Sequence, residues 1–153
     1  MTMLAEMKFT EARNQFTSVI DRVQSLSPVV IKPRKQSESP TFLMNEALVH
    51  ELLQGVRFEV NVFREEDGSI TLGVDELELY VNGESEEDAF EQLAEDAIYY
   101  AQEYMKEPNR YFNAPNRRHH FPYLFKVLLC DNKAEVKRLL KENVRDNAEL
   151  QGP

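Results

Sequence analysis

The stretch "VRFEVNVFREEDGSITLGVDELELYVNG" (Val56–Gly83) alternates apolar and polar residues with the period of two that is typical of strands with one buried face. Two apolar runs flank "EEDGS", in which Asp67-Gly68 suits a type I′ hairpin turn. "ELELYV" supplies a third strand before the Asn82-Gly83 turn. The stretch therefore predicts a three-stranded antiparallel sheet, with inward-facing residues Phe58, Val60, Val62, Ile70, Leu72 and Val74.

A long helix is predicted directly after this sheet. Ser85 is a good N-cap, and the acidic residues that follow it lie near the positive end of the helix dipole. Pro108 follows the end of the helix. One sheet covered by one helix makes a compact α+β unit at residues 56–108, and the buried stripe of the helix is Phe90, Leu93, Ala97, Ala101 and Tyr104.

The remaining residues, 109–153, are predicted to form a helical segment with a frayed tail. "NRYFNAPNRRHH" (Asn109–His120) reads as a polar connector, and "FPYLFKVLLC" and "NKAEVKRLLKEN" read as two short helices. Asn132 and Glu135 suit a capping box for the second helix. From about Val144 onward there is no periodic apolar pattern, so fraying is expected.

At the other end of the chain, "KFTEARNQFTSVIDRV" (Lys8–Val23) predicts one helix with Thr10 as its N-cap. A hairpin is predicted next, with Val29–Lys32 paired against Thr41–Met44 across the polar "RKQSES". Asn45 should cap a further short helix, which Gly55 is placed to end.

Charge is distributed unevenly along the 153 residues. Residues 1–54 carry six basic and six acidic side chains, so the rest of the chain holds the whole net charge of −9. This asymmetry predicts two modules with different partners, although acidity can also serve solubility alone. No apolar run approaches the ~18–20 residues of a membrane span. A single cysteine, Cys130, excludes an internal disulfide, and a cytoplasmic protein is predicted.

The first module resembles the Phd/YefM antitoxin family, through "FTEARNQFTSVIDRV", "SPVVIKPRK" and "TFLMNEALVHELL" in this order and spacing. The resemblance implies a βααββα-type module at residues 1–55 that dimerises and binds operator DNA. The arginine of the first helix, which enters the DNA site in that family, corresponds to Arg13. This sequence departs from the family in a longer hairpin without the usual glycine and in Pro33.

The same resemblance places a second basic residue after the first strand, at one of Lys32, Arg34 or Lys35. Thr10 and Asn14 flank Arg13 as hydrogen-bond donors, and an arginine at a helix start can fork onto phosphate or a guanine edge. The alternative for Arg13 is a solvated arginine paired with Thr17 or Asp21.

A module of this size should need a second copy. About 50 residues without a metal or disulfide bury too little surface to be safely stable alone. One thin layer of structure cannot bury the apolar side chains of Val30, Phe42 and Leu43. A homodimer or higher homo-oligomer is therefore predicted.

The middle module resembles the HicB antitoxin unit, through the strand and "EEDGS" turn and then "VNGESEEDAFEQLAEDAI". It departs from HicB in order, because it follows the DNA-binding module instead of leading. The fold class predicted for the whole chain is α+β: the βααββα-type module, then a three-stranded antiparallel sheet with one long helix, then two C-terminal helices.

Aromatic residues concentrate in the last part of the chain. Packing of the last helices against the long one accounts for most of them, but some could stay exposed until a partner covers them. The residues predicted to bind a toxin are Tyr111, Phe112, Phe121, Phe125, Leu128 and Leu139.

Three functions follow from these observations. The first is a type II antitoxin that represses its own promoter and neutralises a basic toxin, an RNase in many such systems. The second is a stand-alone transcriptional regulator or oligomeric binding protein without a toxin. The third is a metal-dependent hydrolase using the acidic residues around Asp67 and Asp75, which are more typical of a solvated rim. No catalytic residue, metal or cofactor is predicted.

Overall fold

The computed structural model describes residues 2–147, which form two compact units with separate sheets. The first unit ends at Gln54 and the second begins at Gly55. Both units mix helices and strands, so the α+β class is confirmed.

The first unit has the element order β-α-α-β-β-α. Its sheet has the order β1-β2-β3, with β1 parallel and β3 antiparallel to the central strand. The elements are β1 (Glu6–Met7), α1 (Phe9–Asn14), α2 (Phe16–Gln24), β2 (Val29–Ile31), β3 (Thr41–Leu43) and α3 (Glu46–Leu53).

The single helix predicted for Lys8–Val23 is wrong, because Gln15 leaves the helical conformation and separates α1 from α2. Thr10 is not the N-cap either. The cap position is Lys8, whose backbone N–H donates to the Glu11 carboxylate at 3.3 Å and so starts the helix earlier. The break changes the helical phase, and Phe16 is consequently 54% exposed.

The hairpin and α3 follow the prediction with small shifts. Val30 lies opposite Phe42, and the paired strands end one residue before the predicted Lys32 and Met44. The Asn45 side chain accepts from the backbone N–H of Ala47 at 2.8 Å, which confirms the cap. Val30 lies on the central strand and is fully buried in the single chain, so the prediction that it needs a second copy is wrong.

The second unit contains the predicted three strands and long helix, with four further elements after them. The sheet order is β6-β5-β4-β7. The elements are β4 (Val60–Arg64), β5 (Ile70–Val74), β6 (Leu79–Gly83), α4 (Glu86–Lys106), α5 (Pro108–Asn113), α6 (Phe121–Leu128), α7 (Lys133–Lys141) and β7 (Val144–Asp146).

The hairpin turn between β4 and β5 is not type I′, because only Gly68 has positive φ, at +88°. Gly68 N donates to Glu65 O at 3.0 Å, and Glu65 N donates to Ser69 O at 2.9 Å. The Asp67 carboxylate accepts from both N–H and O–H of Ser69, which holds Asp67 away from positive φ. The result is a three-residue loop with its glycine left-handed at the bulge position.

The third strand begins later than predicted. A 3₁₀ turn at Asp75–Leu77 and the left-handed Glu78 (φ +54°) precede β6. Ser85 caps α4 as expected, accepting from Asp88 N at 3.1 Å.

The segment after α4 joins the same core. The predicted polar connector contains α5 and a 3₁₀ turn at Arg118–His120, and the two predicted helices are α6 and α7. The Asn132 side chain accepts from Glu135 N at 2.9 Å, which confirms the cap. The buried core residues are Phe58, Val60, Val62, Ile70, Leu72, Val74, Leu77, Val81, Ala89, Phe90, Leu93, Ala94, Ala97, Ala101, Tyr104, Leu124, Val127, Val136 and Leu140.

The expectation that the chain frays from Val144 is wrong for Val144–Asp146, which pair in parallel with β4. Val60 N donates to Asn143 O at 3.0 Å, and Arg64 pairs with Asp146 at 3.1 Å. Backbone pairing at an edge requires no apolar period, so the sequence carried no signal for β7. The part of that prediction concerning residues 148–153 lies outside the described residues.

Three lysines of α7 pair with glutamates of α4. Lys133 pairs with Glu91 and Glu95, Lys137 with Glu87 and Glu91, and Lys141 with Glu87 at 3.1 Å. Hydrogen bonds from the lysines lower the pKa of Glu87 and Glu91. Exposed pairs contribute little stability each. They nevertheless link α7 to α4 at several points along both helices.

Gly83 is required by the close approach of β6 to α4. A Cβ at Gly83 would lie 2.6 Å from Ala89 N and 2.8 Å from its Cα, whereas a Cβ at Gly55 would meet nothing within 4 Å. We expect Gly83→Ala to lower the free energy of unfolding by about 1–3 kcal/mol. Urea unfolding followed by circular dichroism measures this, with Gly55→Ala as the control. Equal stability of the two variants would contradict this packing.

Candidate DNA-binding and partner-binding surfaces

Arg13 lies exposed on α1 and forms no ion pair or side-chain hydrogen bond within residues 2–147. It does not pair with Thr17 or Asp21, the alternative raised by the sequence. Its side chain borders a shallow apolar groove of about 230 Å³, whose other lining residues are Phe9, Ala12, Phe16 and Ile31. The guanidinium is therefore available to an external anion.

A second groove, of about 420 Å³, lies beside three other basic residues of this unit. It is lined by Lys8, Phe9, Thr10, Lys32, Pro33 and Arg34. Phe9 lines both grooves, so Arg13 and this cationic set border the same ring. The structure thus places Thr10, Lys32 and Arg34 in one groove and Arg13 in the other, whereas Asn14 and Lys35 are exposed but line neither groove.

Lys8 was missed by the sequence reasoning. Met7 pairs with Ile31 in the parallel β1–β2 ladder, so the next residues along the two strands, Lys8 and Lys32, lie side by side. A two-residue strand such as Glu6–Met7 is too short for a periodic signal, and Lys8 could be found only once that pairing was known.

Arg34 is already engaged within its own loop. Its guanidinium pairs with Glu38 at 2.8 Å and lies 5.2 Å from the centre of the Phe9 ring. The hydrogen bond from Arg34 lowers the pKa of Glu38. Lys32 and Lys35 have no ion-pair partner in the described part of the chain, so they are the freer of the three loop cations.

The predicted toxin-binding residues divide by burial. Tyr111 stacks on Tyr104 with ring centres 5.1 Å apart, and Phe121 stacks on Phe125 at 5.6 Å. Tyr111, Phe121 and Leu139 pack against the core, and Phe125 is half-buried. The two with substantial free surface are Phe112, 40% exposed, and Leu128, 36% exposed.

Asp67 and Asp75, two of the acidic residues around the β4–β5 hairpin, are held by neighbouring side chains. Asp67 is bonded to Ser69, and Asp75 accepts from the Tyr80 hydroxyl at 2.8 Å and from Asn61 at 3.3 Å. Within residues 2–147 no three histidine, cysteine or carboxylate side chains are grouped to hold a metal ion. None of the described helices is long and apolar enough to cross a membrane.

Over residues 3–142 the chain matches the PHD_like family, described as antitoxin of toxin–antitoxin, RelE/RelB, TA system. The protein belongs to this antitoxin family. The antitoxin is also similar to the crystal structure of an antitoxin part of a proposed toxin/antitoxin system from Syntrophomonas wolfei subsp. wolfei. Sequence identity is 35%, the match covers 94% of this chain and 98% of that chain, and the TM-score is 0.79. No match was found among curated proteins.

Membership of this family makes a cognate toxin the partner of the antitoxin. The finer resemblances, to Phd/YefM in the first unit and to HicB in the second, remain predictions.

A partly buried polar network includes Tyr100 of α4 in the antitoxin. Arg117 donates to the Tyr100 hydroxyl at 2.7 Å, and that hydroxyl lies 2.6 Å from Nδ1 of His120. His120 is fully buried, and its Nε2 has no partner within the described residues.

Burial lowers the pKa of His120 below its ordinary 6.5, and the charges of His119 and Arg117 act in the same direction against a smaller opposing effect of Glu78. The unfolded chain therefore binds a proton more readily than the folded antitoxin. Stability should be full above about pH 6.5 and should fall as the pH drops from there toward the folded pKa.

We expect the melting temperature of the antitoxin to decrease between about pH 7 and pH 5. His120→Phe should flatten this decrease, whereas His50→Gln, at an exposed position of the first unit, should keep it. Differential scanning calorimetry measures both. A melting temperature that is constant for the wild-type chain over this range would contradict the assignment of a neutral buried histidine.

Proposed function

We propose that this antitoxin belongs to a type II system, in which residues 1–55 bind operator DNA as a dimer and residues 56–153 cover the toxin. The main support for DNA binding by the first unit is Arg13, which has no ion pair among the described residues. A groove lined by Lys8, Lys32 and Arg34 shares the Phe9 ring with it. The chain as a whole repels a polyanion with its charge of −9, so DNA binding depends on this local cationic surface.

Dimerisation is supported by how little apolar surface the first unit buries. Its clustered core consists of Ala12, Val19, Val23 and Val29, while Phe9, Phe16 and Phe42 are 40%, 54% and 51% exposed. A second copy would cover such side chains and would present two copies of Arg13 to the two halves of a palindrome.

The direct test is binding to duplex DNA from upstream of the reading frame of the antitoxin. We expect Arg13→Ala to weaken operator binding by about 1–3 kcal/mol. Fluorescence anisotropy at fixed salt measures the affinity, and analytical ultracentrifugation checks that the oligomeric state is unchanged.

Arg22→Ala is the matched control, since Arg22 is an exposed arginine in the last turn of α2 and lines neither groove. An equal loss of operator affinity in both variants would mean that any exposed cation of this unit contributes as much as Arg13. Unchanged affinity of Arg13→Ala would remove Arg13 from the DNA site.

Toxin binding is proposed to use the exposed apolar residues of α5 and α6. The second unit carries the net negative charge of the chain, which favours association with a basic partner. Deletion of residues 109–153 is a poor test, because Leu124, Val127, Val136 and Leu140 of that segment belong to the core.

Surface substitutions at Phe112 and Leu128 provide a sharper test. We expect Phe112→Ser and Leu128→Ser each to weaken toxin capture at least tenfold, which corresponds to a loss of about 1.4 kcal/mol of binding free energy. Co-purification and calorimetric titration with the toxin encoded beside the antitoxin measure the loss.

Val144→Ser truncates an apolar side chain of similar exposure, 39%, on β7 and is the matched control. Retained capture in both α5 and α6 variants, with folding verified by circular dichroism, would place the toxin interface elsewhere.

A further inference from the structure

A cleft of about 500 Å³ opens beside α4 in the second unit. Its lining combines three carboxylates with three tyrosines and one guanidinium. The residues are Leu77, Glu78, Leu79, Asp96, Tyr99, Tyr100, Glu103, Tyr111 and Arg117. None of the residues predicted to bind the toxin, apart from Tyr111, lies in it.

The cleft already contains one guanidinium of this chain, lying on one of its tyrosines. Arg117 lies 5.5 Å from the centre of the Tyr100 ring and donates to the Tyr100 hydroxyl at 2.7 Å. The negative face of an aromatic ring attracts a cation, and a flat guanidinium can also stack on it.

The other side of the cleft offers the same kind of ring without a cation on it. Tyr99 is 65% exposed and has no cation on its ring among the described residues. Glu78 and Asp96 are exposed and form no ion pair or side-chain hydrogen bond within residues 2–147. Glu103, by contrast, is paired with Lys106 at 2.6 Å.

We propose that this cleft takes an arginine side chain of the protein partner, which stacks on Tyr99 and pairs with Asp96 and Glu78. The inference rests on the proposed function, in which the second unit binds a basic toxin. An anionic ligand would meet three carboxylates against the one guanidinium of Arg117, which Tyr100 already engages.

Arginine fits the cleft better than lysine for a geometric reason. The planar guanidinium can stack on a tyrosine while its N–H groups fork onto a carboxylate, whereas an ammonium is a compact, strongly hydrated charge. The distinction makes the chemistry of the occupant testable without the toxin.

The first experiment titrates the isotope-labelled full chain with N-acetyl-arginine methylamide and follows amide resonances by NMR. We expect shifts at residues 77–79 and 96–100, and about tenfold weaker binding of the neutral citrulline analogue. Equal binding of the citrulline or lysine analogue, or no shift at these residues, would overturn the proposal.

Variants then connect the shifts to named groups. Asp96→Asn keeps the size of the side chain and removes its charge, and Tyr99→Ala removes an exposed ring; each should weaken binding of the arginine amide several-fold. Glu66→Gln, on the hairpin turn outside the cleft, is the charge-matched control and should bind as the wild type does. Unchanged binding by both cleft variants would also overturn the proposal.

Capture of the toxin encoded beside the antitoxin distinguishes failure of this inference from failure of the proposed function. If the wild-type chain captures the toxin and Asp96→Asn and Tyr99→Ala capture it at least fivefold more weakly, the cleft is part of the interface. If the variants capture it equally well, the cleft inference fails while the proposed function stands. Failure of the wild-type chain to capture its toxin would instead overturn the proposed function.

Discussion

Close contact between α4 and the sheet is the constraint on which the second unit depends. Four alanines of α4 are fully buried, and Gly83 of β6 approaches the backbone of Ala89 too closely for any side chain. Small residues at this seam let Phe90, Leu93 and Tyr104 fill the space between the helix, the sheet and the later helices. The helices α6 and α7 and the aromatic residues around them are positioned by the same long helix. The geometry of the candidate partner-binding surface on α5 and α6 therefore depends on this packing.

Elements with a strong period or a clear cap could be predicted from the sequence. The alternation in Val56–Gly83 identified three strands, and Ser85, Asn45 and Asn132 marked helix starts correctly. The elements that were not predicted share a physical cause. Their conformation is decided by contacts with residues distant in the chain or by backbone pairing alone. The strands β1 and β7 are defined by pairing, and the break at Gln15 interrupts a sequence whose apolar spacing suits a continuous helix.

The candidate surfaces could be predicted only in part. Arg13 and the loop cations were predicted from the family resemblance, and their role in DNA binding stays a prediction. Their grouping around Phe9, the addition of Lys8 and the engagement of Arg34 by Glu38 depend on tertiary contacts. Among the aromatic residues, sequence could not separate Phe112 from Tyr111, because burial is decided by stacking on Tyr104.

The pairing of β7 with β4 has a mechanical consequence. Three residues join in parallel at the edge of the sheet, and α7 directly precedes them. Tension applied to the chain beyond Asp146 would load this short ladder first, and its rupture would pass the load to α7 and its lysine contacts with α4. An unfolding machine that grips the polypeptide there would thus detach the edge strand before α7.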